Sequence, residues 1–231
     1  MKQNLFEQIT AYFSTHMQEW SRAVLEHIQI SLTAVLIAVC VGFTLGVLCS
    51  GNHIAKTFVT GIFSTLRIIP SLAVLLLCIP LFGIGLAPAL IALTFLAIPP
   101  VLINTTQAFA GVPAAVIETA TGLGMSRMRM FLTVKTPLAM PLVLAGVKTA
   151  TVEVIASATL ASYIGAGGLG VIIFTGLGLQ RADLLIVGGL SVAVLSILAD
   201  TLLGALEKRL VRYRNVQIKP ARPKHVPRQA L

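Results

Sequence analysis

Long stretches without Asp, Glu, Lys or Arg define the pattern of this chain. One stretch of 29 residues lies between Glu26 and Lys56, and one of 50 residues lies between Arg67 and Glu118. A helix of about 20 apolar residues crosses a bilayer, so the longer stretch holds two helices, with a turn at 83–88 where glycine and proline interrupt it. Together with two later stretches, the pattern predicts transmembrane helices at 28–50, 60–82, 88–108, 137–163 and 184–206.

The first 26 residues carry a second pattern. Apolar residues recur there at helical spacing: Phe6, Ile9, Phe13, Met17, Trp20 and Val24. Such a stripe is typical of an amphipathic helix, which either lies on the outer membrane surface or packs on the helical bundle. We divide the chain into an external N-terminal segment at 1–26, a membrane domain at 27–207 and a tail at 208–231.

Composition and charge agree with an all-α membrane protein. Hydrophobic residues make up 56% of the 231 residues and charged residues 11%, with a mean hydropathy of +0.93. Of the net charge of +9, residues 207–231 carry +7, which excludes a generally basic nucleic-acid-binding surface and predicts a disordered tail near anionic headgroups. The tail's side of the membrane holds twelve basic residues and the other side three. The positive-inside rule then predicts an external N-terminus and a cytoplasmic C-terminus.

The cytoplasmic loop at 110–136 is the most informative segment. Pro113 suits the start of a helix, Ala114 to Thr121 continue it, and Gly122 and Gly124 end it. This short helix, which carries Glu118, either docks into the groove of a partner or merely connects two spans.

The same loop resembles a known motif. Glu118-Thr119-Ala120, Gly124 and Val134-Lys135-Thr136-Pro137 have the spacing of the EAA loop of ABC importer permeases, with Thr119 and Thr136 departing from its alanine and leucine. In that family the loop forms the coupling helix that contacts the ATPase. The resemblance assigns coupling to Glu118, Thr119, Ala120, Gly124 and Pro137.

Further segments resemble the permeases for glycine betaine, carnitine and choline. These are Ile69-Pro70-Ser71-Leu72-Ala73, Ile79 to Gly85, Asn104-Thr105, the glycine cluster at 165–170 and Ala199 to Gly204. The methionine importer permeases share the glycine cluster and the loop, so an amino-acid importer remains the alternative. The resemblance implies a type I, methionine-importer-like permease fold in a bacterial cytoplasmic membrane. It also implies a second permease chain, two ATPase subunits and an external binding protein.

Four charges lie within or beside the predicted spans, where each costs about 2.5–3.5 kcal/mol on insertion scales. They are Arg67, Lys148, Glu153 and Asp200. Glu153 shares a helical face with Thr149 and Ser157, so it either lines a translocation path or forms an ion pair with Arg67 or Lys148. We assign Arg67, Pro70, Ser71, Thr149, Glu153 and Ser157 to the path or its gate.

Enzyme motifs are missing from the sequence. It contains no G-x4-G-K-[ST], no H-E-x-x-H and no G-x-S-x-G, and its cysteines lack the spacing of a metal site. The G-x-G-x-x-G at 165–170 follows a predicted span instead of a strand, which argues against dinucleotide binding. We expect no catalytic residue, no metal and no cofactor, and energy from a separate ATPase. The rival class is an ATP-independent secondary transporter or channel.

Overall fold

The computed structural model describes residues 4–210, and this part of the chain is helical throughout its regular structure. The helices are α1 (Leu5–Ser50), α2 (His53–Leu66), α3 (Ser71–Phe82), α4 (Leu86–Ala110), α5 (Ala114–Gly122), α6 (Arg127–Met130), α7 (Thr136–Ala161), α8 (Leu169–Gly178) and α9 (Ala182–Leu210). A π turn (Phe131–Lys135) joins α6 to α7, and a 3-10 turn (Ser162–Ile164) follows α7. Most of the tail predicted at 208–231 lies outside the described residues.

The prediction of about five membrane-spanning helices is confirmed. Within the described residues, α1, α4, the continuous Arg127–Ile164 segment and α9 are long and apolar enough to cross a bilayer. The bent pair α2–α3 makes a fifth, broken span. The Arg127–Ile164 helix begins ten residues before the predicted span at 137–163, because α6 and the π turn precede α7.

The predicted uninterrupted span at 60–82 is wrong. The chain bends by 91° between α2 and α3, and Pro70 occupies the position before the first residue of α3. Proline lacks a backbone N–H and disfavours helical geometry in the residue before it, so a helix ends ahead of it. The helix α2 also begins earlier than predicted, at His53. The Asn52 side chain caps it by accepting hydrogen bonds from the Ile54 and Ala55 N–H groups.

The N-terminal stripe packs on the bundle. The helix α1 runs through residue 26 and is kinked at His16, where the backbone dihedrals are not helical. Part of its apolar stripe (Ile9, Phe13, Trp20 and Val24) packs against residues of α8 and α9, and the Trp20 indole donates a hydrogen bond of 2.9 Å to Ser191. These contacts favour bundle packing over a helix that rests on the membrane surface. The domain boundary at residue 26 stays a prediction.

The centre of the bundle is made by α1, α4 and α7, which pack through small residues. Its buried members include Ala34, Ala38, Ala92, Ala97, Ala150 and Ala158. At the closest approach of α7 to α4, a β-carbon added to Gly146 would lie 2.7 Å from the Asn104 β-carbon and 2.8 Å from the Pro100 carbonyl oxygen. Glycine is therefore needed at 146 for the helices to come this close.

We predict that Gly146→Ala lowers the stability of the folded protein by about 1–3 kcal/mol, because the backbone oxygen of Pro100 cannot move aside cheaply. Gly189→Ala is the matched control, since a β-carbon there meets nothing within 4 Å. Thermal unfolding in detergent measures both variants. A Gly146→Ala protein that melts no lower than Gly189→Ala would contradict the close helix contact.

Candidate translocation cleft and coupling helix

The break between α2 and α3 opens a cleft against α7. The cleft has a volume of about 380 Å³, and its lining includes Arg67, Pro70, Ser71, Glu153 and Ser157. Five of the six residues that the sequence assigned to a path or gate therefore come together from α3, α7 and the break itself. The sixth, Thr149, is exposed elsewhere on α7, where its hydroxyl donates to the Ala145 carbonyl.

An ion pair crosses this cleft. The Arg67 guanidinium donates to the Glu153 carboxylate over 2.5 Å, and both side chains stay about 40% exposed in the isolated chain. Glu153 therefore forms the ion pair with Arg67 that the sequence offered as one of two interpretations, and it also lines this cleft. That the cleft belongs to a translocation path stays a prediction.

A second ion pair lies on another side of α7. The Lys148 ammonium is 3.0 Å from the Asp200 carboxylate of α9. Lys148 and Glu153 are five positions apart on one helix, and each finds its partner on a different neighbour. All four charges that the sequence placed in or beside the spans are thus compensated in pairs.

The sequence did not identify the contacts that hold the glycine turn at 165–168. One Glu26 oxygen accepts a hydrogen bond of 3.1 Å from the Gly168 N–H, and the other accepts one from Arg22. Next to it, His27 is fully buried and its Nε2 lies 3.0 Å from the Ile155 carbonyl oxygen. A cavity of about 590 Å³ adjoins this contact. No spacing signal relates Glu26 to residues more than 140 positions away, so only the fold brings them together.

The helix predicted in the loop at 110–136 is confirmed as α5. Pro113 lies directly before its first residue, and Gly124 follows its end with a φ of +73°. Hydrogen bonds from the Gly124 N–H to the Thr121 carbonyl and from the Met125 N–H to the Ala120 carbonyl close the helix. This is a common C-terminal closure, which glycine adopts without strain.

The candidate coupling residues lie in different environments. Glu118 and Thr119 are exposed on α5, whereas Ala120 is 4% exposed and faces the protein. Pro137 lies in the first turn of α7. Between these elements, Phe131 of the π turn stacks on Phe109 of α4 with ring centroids 5.5 Å apart. Sequence reasoning missed the π turn, which the Thr136 hydroxyl stabilises by donating to the Phe131 carbonyl.

These features define a class: an all-helical membrane permease with a broken span beside a charged cleft and a short helix exposed between two spans. Residues 38–212 match the family of binding-protein-dependent transport system inner membrane components, and the chain belongs to this family. The resemblance to importer permeases drawn from the EAA pattern is thereby confirmed.

Individual relatives agree with that assignment. The chain is 42% identical over 185 residues to the carnitine transport permease protein OpuCB of Listeria monocytogenes, covering 80% of this chain and 85% of the relative. It is 39% identical over 202 residues to the choline transport system permease protein OpuBB of Bacillus subtilis (strain 168), covering 87% and 93%. A solved structure of the inward-facing MetNI methionine ABC transporter is similar, with a TM-score of 0.67, 25% identity and coverage of 85% and 96%. The predicted type I permease fold is confirmed by this likeness.

We predict that Glu153→Gln destabilises the protein by about 1–3 kcal/mol, between the limits for exposed and buried pairs, because Arg67 loses its partner. Changing Arg67 to Gln in the same protein should restore most of the loss. Melting temperatures of the two single variants and the double variant form the cycle that measures the coupling. Ser157→Ala, on the same cleft wall but uncharged, is the control. A double variant as unstable as the sum of the singles would contradict a net attractive pair.

Proposed function

We propose that this permease carries an osmoprotectant-like quaternary amine, such as glycine betaine, carnitine or choline, through the membrane. The observation that supports this most is the similarity over most of their length to permeases named for carnitine and choline. The likeness to the methionine transporter is weaker in sequence, at 25% identity. An amino-acid substrate is therefore the second candidate.

The assembly follows from membership of the family. A binding protein outside the cell delivers the substrate, a second permease chain completes the path, and two ATPase subunits dock on the cytoplasmic face. The N-terminus of α1 is external and the C-terminus after α9 is cytoplasmic, which puts α5 on the same side as the ATPase. The twelve-to-three distribution of basic residues supports this orientation.

The cleft at the α2–α3 break is the proposed gate of the path. Irregular backbone at membrane depth is tolerated where it lines a cavity or is buried in protein, and this break lines the cleft that contains Glu153. A carboxylate can compensate the positive charge of a passing ammonium only when Arg67 moves away. The Arg67–Glu153 pair then acts as the latch, opened and closed once in each transport cycle.

Coupling to the ATPase is assigned to α5. Its exposed Glu118 and Thr119 contact the partner, while Ala120 faces the protein and anchors the helix. Gly124 closes the helix with open space around it, because a β-carbon there meets nothing within 4 Å in this chain. That space allows a partner surface to approach the end of α5 closely.

The substrate is tested by uptake in cells that lack other osmoprotectant transporters. The permease is expressed with candidate ATPase and binding-protein subunits, and uptake of labelled glycine betaine, carnitine, choline and methionine is measured. We expect saturable uptake of at least one quaternary amine, with no competition from methionine. Uptake of methionine alone would favour the second candidate. Uptake that persists with a non-hydrolysing ATPase would identify a secondary transporter.

We predict that Gly124→Ala lowers substrate-stimulated ATP hydrolysis by about tenfold or more. An L residue at a φ of +73° costs about 1–2 kcal/mol, so the end of α5 must rearrange. Gly124→Asn should keep most of the activity, because Asn tolerates this backbone region. Gly122→Ala is the matched control, since it lies within α5 and also has open space. Wild-type stimulation in Gly124→Ala would contradict the coupling role.

A further inference from the structure

The arginine and lysine residues within 4–210 differ in whether a carboxylate pairs with them. Four arginine and lysine residues form ion pairs with carboxylates: Arg22, Arg67, Lys148 and Arg181. In contrast, no ion pair is found within residues 4–210 for the three cations between the end of α5 and the start of α7, which are Arg127, Arg129 and Lys135. A positive surface therefore lies directly beside the coupling helix, on the side proposed as cytoplasmic.

Two of these three cations line one cleft. The cleft has a volume of about 410 Å³ and is lined by Thr121, Met125, Arg127, Met130, Phe131 and Lys135. It combines two positive side chains and a hydroxyl with walls of methionine and phenylalanine, and its lining contains no acid. Arg129, two positions after Arg127 on α6, is exposed and is not part of the lining.

The π turn explains why Arg127 and Lys135 share the cleft. In a regular α-helix of about 3.6 residues per turn, side chains eight positions apart would be rotated away from each other by roughly a quarter of a turn. One wider π turn, which closes i to i+5 hydrogen bonds, adds most of a residue and brings position 135 back over position 127. The observed π turn covers Phe131–Lys135, the segment that separates the two cations. Such turns are frequent at functional sites.

The surroundings of the cleft are those of a membrane boundary. Arg127 and Lys135 lie where the Arg127–Ile164 helix begins its apolar course. Leu132 and Leu138 expose 57% and 40% of their surface on this segment, so apolar side chains adjoin the cations. A ligand that fits both features has a negative headgroup and a hydrocarbon body. Anionic lipids attract basic residues at the cytoplasmic surface, and basic pockets between membrane helices bind their headgroups.

We propose that this cleft binds the phosphate of an anionic glycerophospholipid from the cytoplasmic leaflet. Arg127 and Lys135 contact the phosphate oxygens, and Met125, Met130 and Phe131 contact the glycerol and the first part of the acyl chains. A bound lipid would fill the space between the end of α5 and the π turn, and so hold the coupling helix against α7. The choice of leaflet rests on the orientation given under the proposed function, whereas the headgroup site does not.

The test is a titration of the full chain in detergent with phosphatidylglycerol, in which native mass spectrometry counts the bound lipids. Arg127→Gln and Lys135→Gln should each weaken binding about fivefold, which corresponds to about 1 kcal/mol per cation. Arg129→Gln removes the same charge outside the cleft and should change binding less than twofold. Phosphatidylcholine should bind weakly to all four proteins.

Several results would overturn the proposal. Equal losses in Arg127→Gln and Arg129→Gln would indicate a diffuse positive surface, and equal binding of phosphatidylcholine would exclude recognition of an anion. Competition by inorganic phosphate at the same concentration would identify a free-anion site. Unchanged lipid binding together with lost ATPase association would assign the two cations to a carboxylate of the ATPase.

The leaflet is tested separately in whole cells. Leu123→Cys, in a background with Cys40, Cys49 and Cys78 replaced by Ser, adds a thiol at a position that is 72% exposed beside the cleft. An impermeant maleimide should label it only after the membrane is permeabilised. Labelling of intact cells would overturn the orientation and the cytoplasmic leaflet, while the titration alone decides the headgroup site.

Discussion

Charged side chains and unpaired backbone groups at membrane depth need partners within the protein. The structure depends on α7 because this helix carries two such charges and pairs each of them with a neighbouring segment. Glu153 reaches Arg67 at the α2–α3 break, and Lys148 reaches Asp200 on α9. Removal of one partner would leave the other charge uncompensated in a medium of low dielectric constant. The two ion pairs therefore do more than neutralise charge. They tie the broken span and the last span to the same central helix.

The break in the second span interrupts backbone hydrogen bonding beside the proposed path. A continuous helix satisfies its own backbone hydrogen bonds. At the bend of 91° the Ile68 and Ile69 N–H groups bond back to Thr65 and Leu66, whereas the carbonyls at 67–69 lie between the two helices and need other partners or water. The cleft beside the break offers room for that water, and it contains the Arg67–Glu153 pair. The proposed gate thus combines three elements: Pro70 ends the helix, the cavity can hydrate the break, and the ion pair joins the break to α7.

The sequence predicted most of the spans because long apolar runs with few charges are a direct signal of burial in lipid. It also predicted α5, since Pro113, Gly122 and Gly124 are local signals that act within one turn. The sequence failed to predict features that its local signals do not determine. Pro70 was visible, but the apolar run around it hid the break, and α8 was too short to register as a span. The π turn and the contact of Glu26 with Gly168 depend on packing between distant segments, which no spacing rule encodes.

The proposed mechanism involves two sites along one continuous helical segment. At its start, the Arg127–Ile164 helix contains the π turn, where Phe131 stacks on Phe109 near α5; further along, it carries Lys148 and Glu153. Two features of this segment can bend a helix, the π turn and Pro141, whereas Lys148 and Glu153 both lie beyond them. A tilt of the part beyond Pro141 would move Glu153 relative to Arg67, unless α2 and α3 move with it. The proposed coupling helix α5 is a separate element, so residues 123–126 join it to the segment that carries Glu153 of the proposed latch.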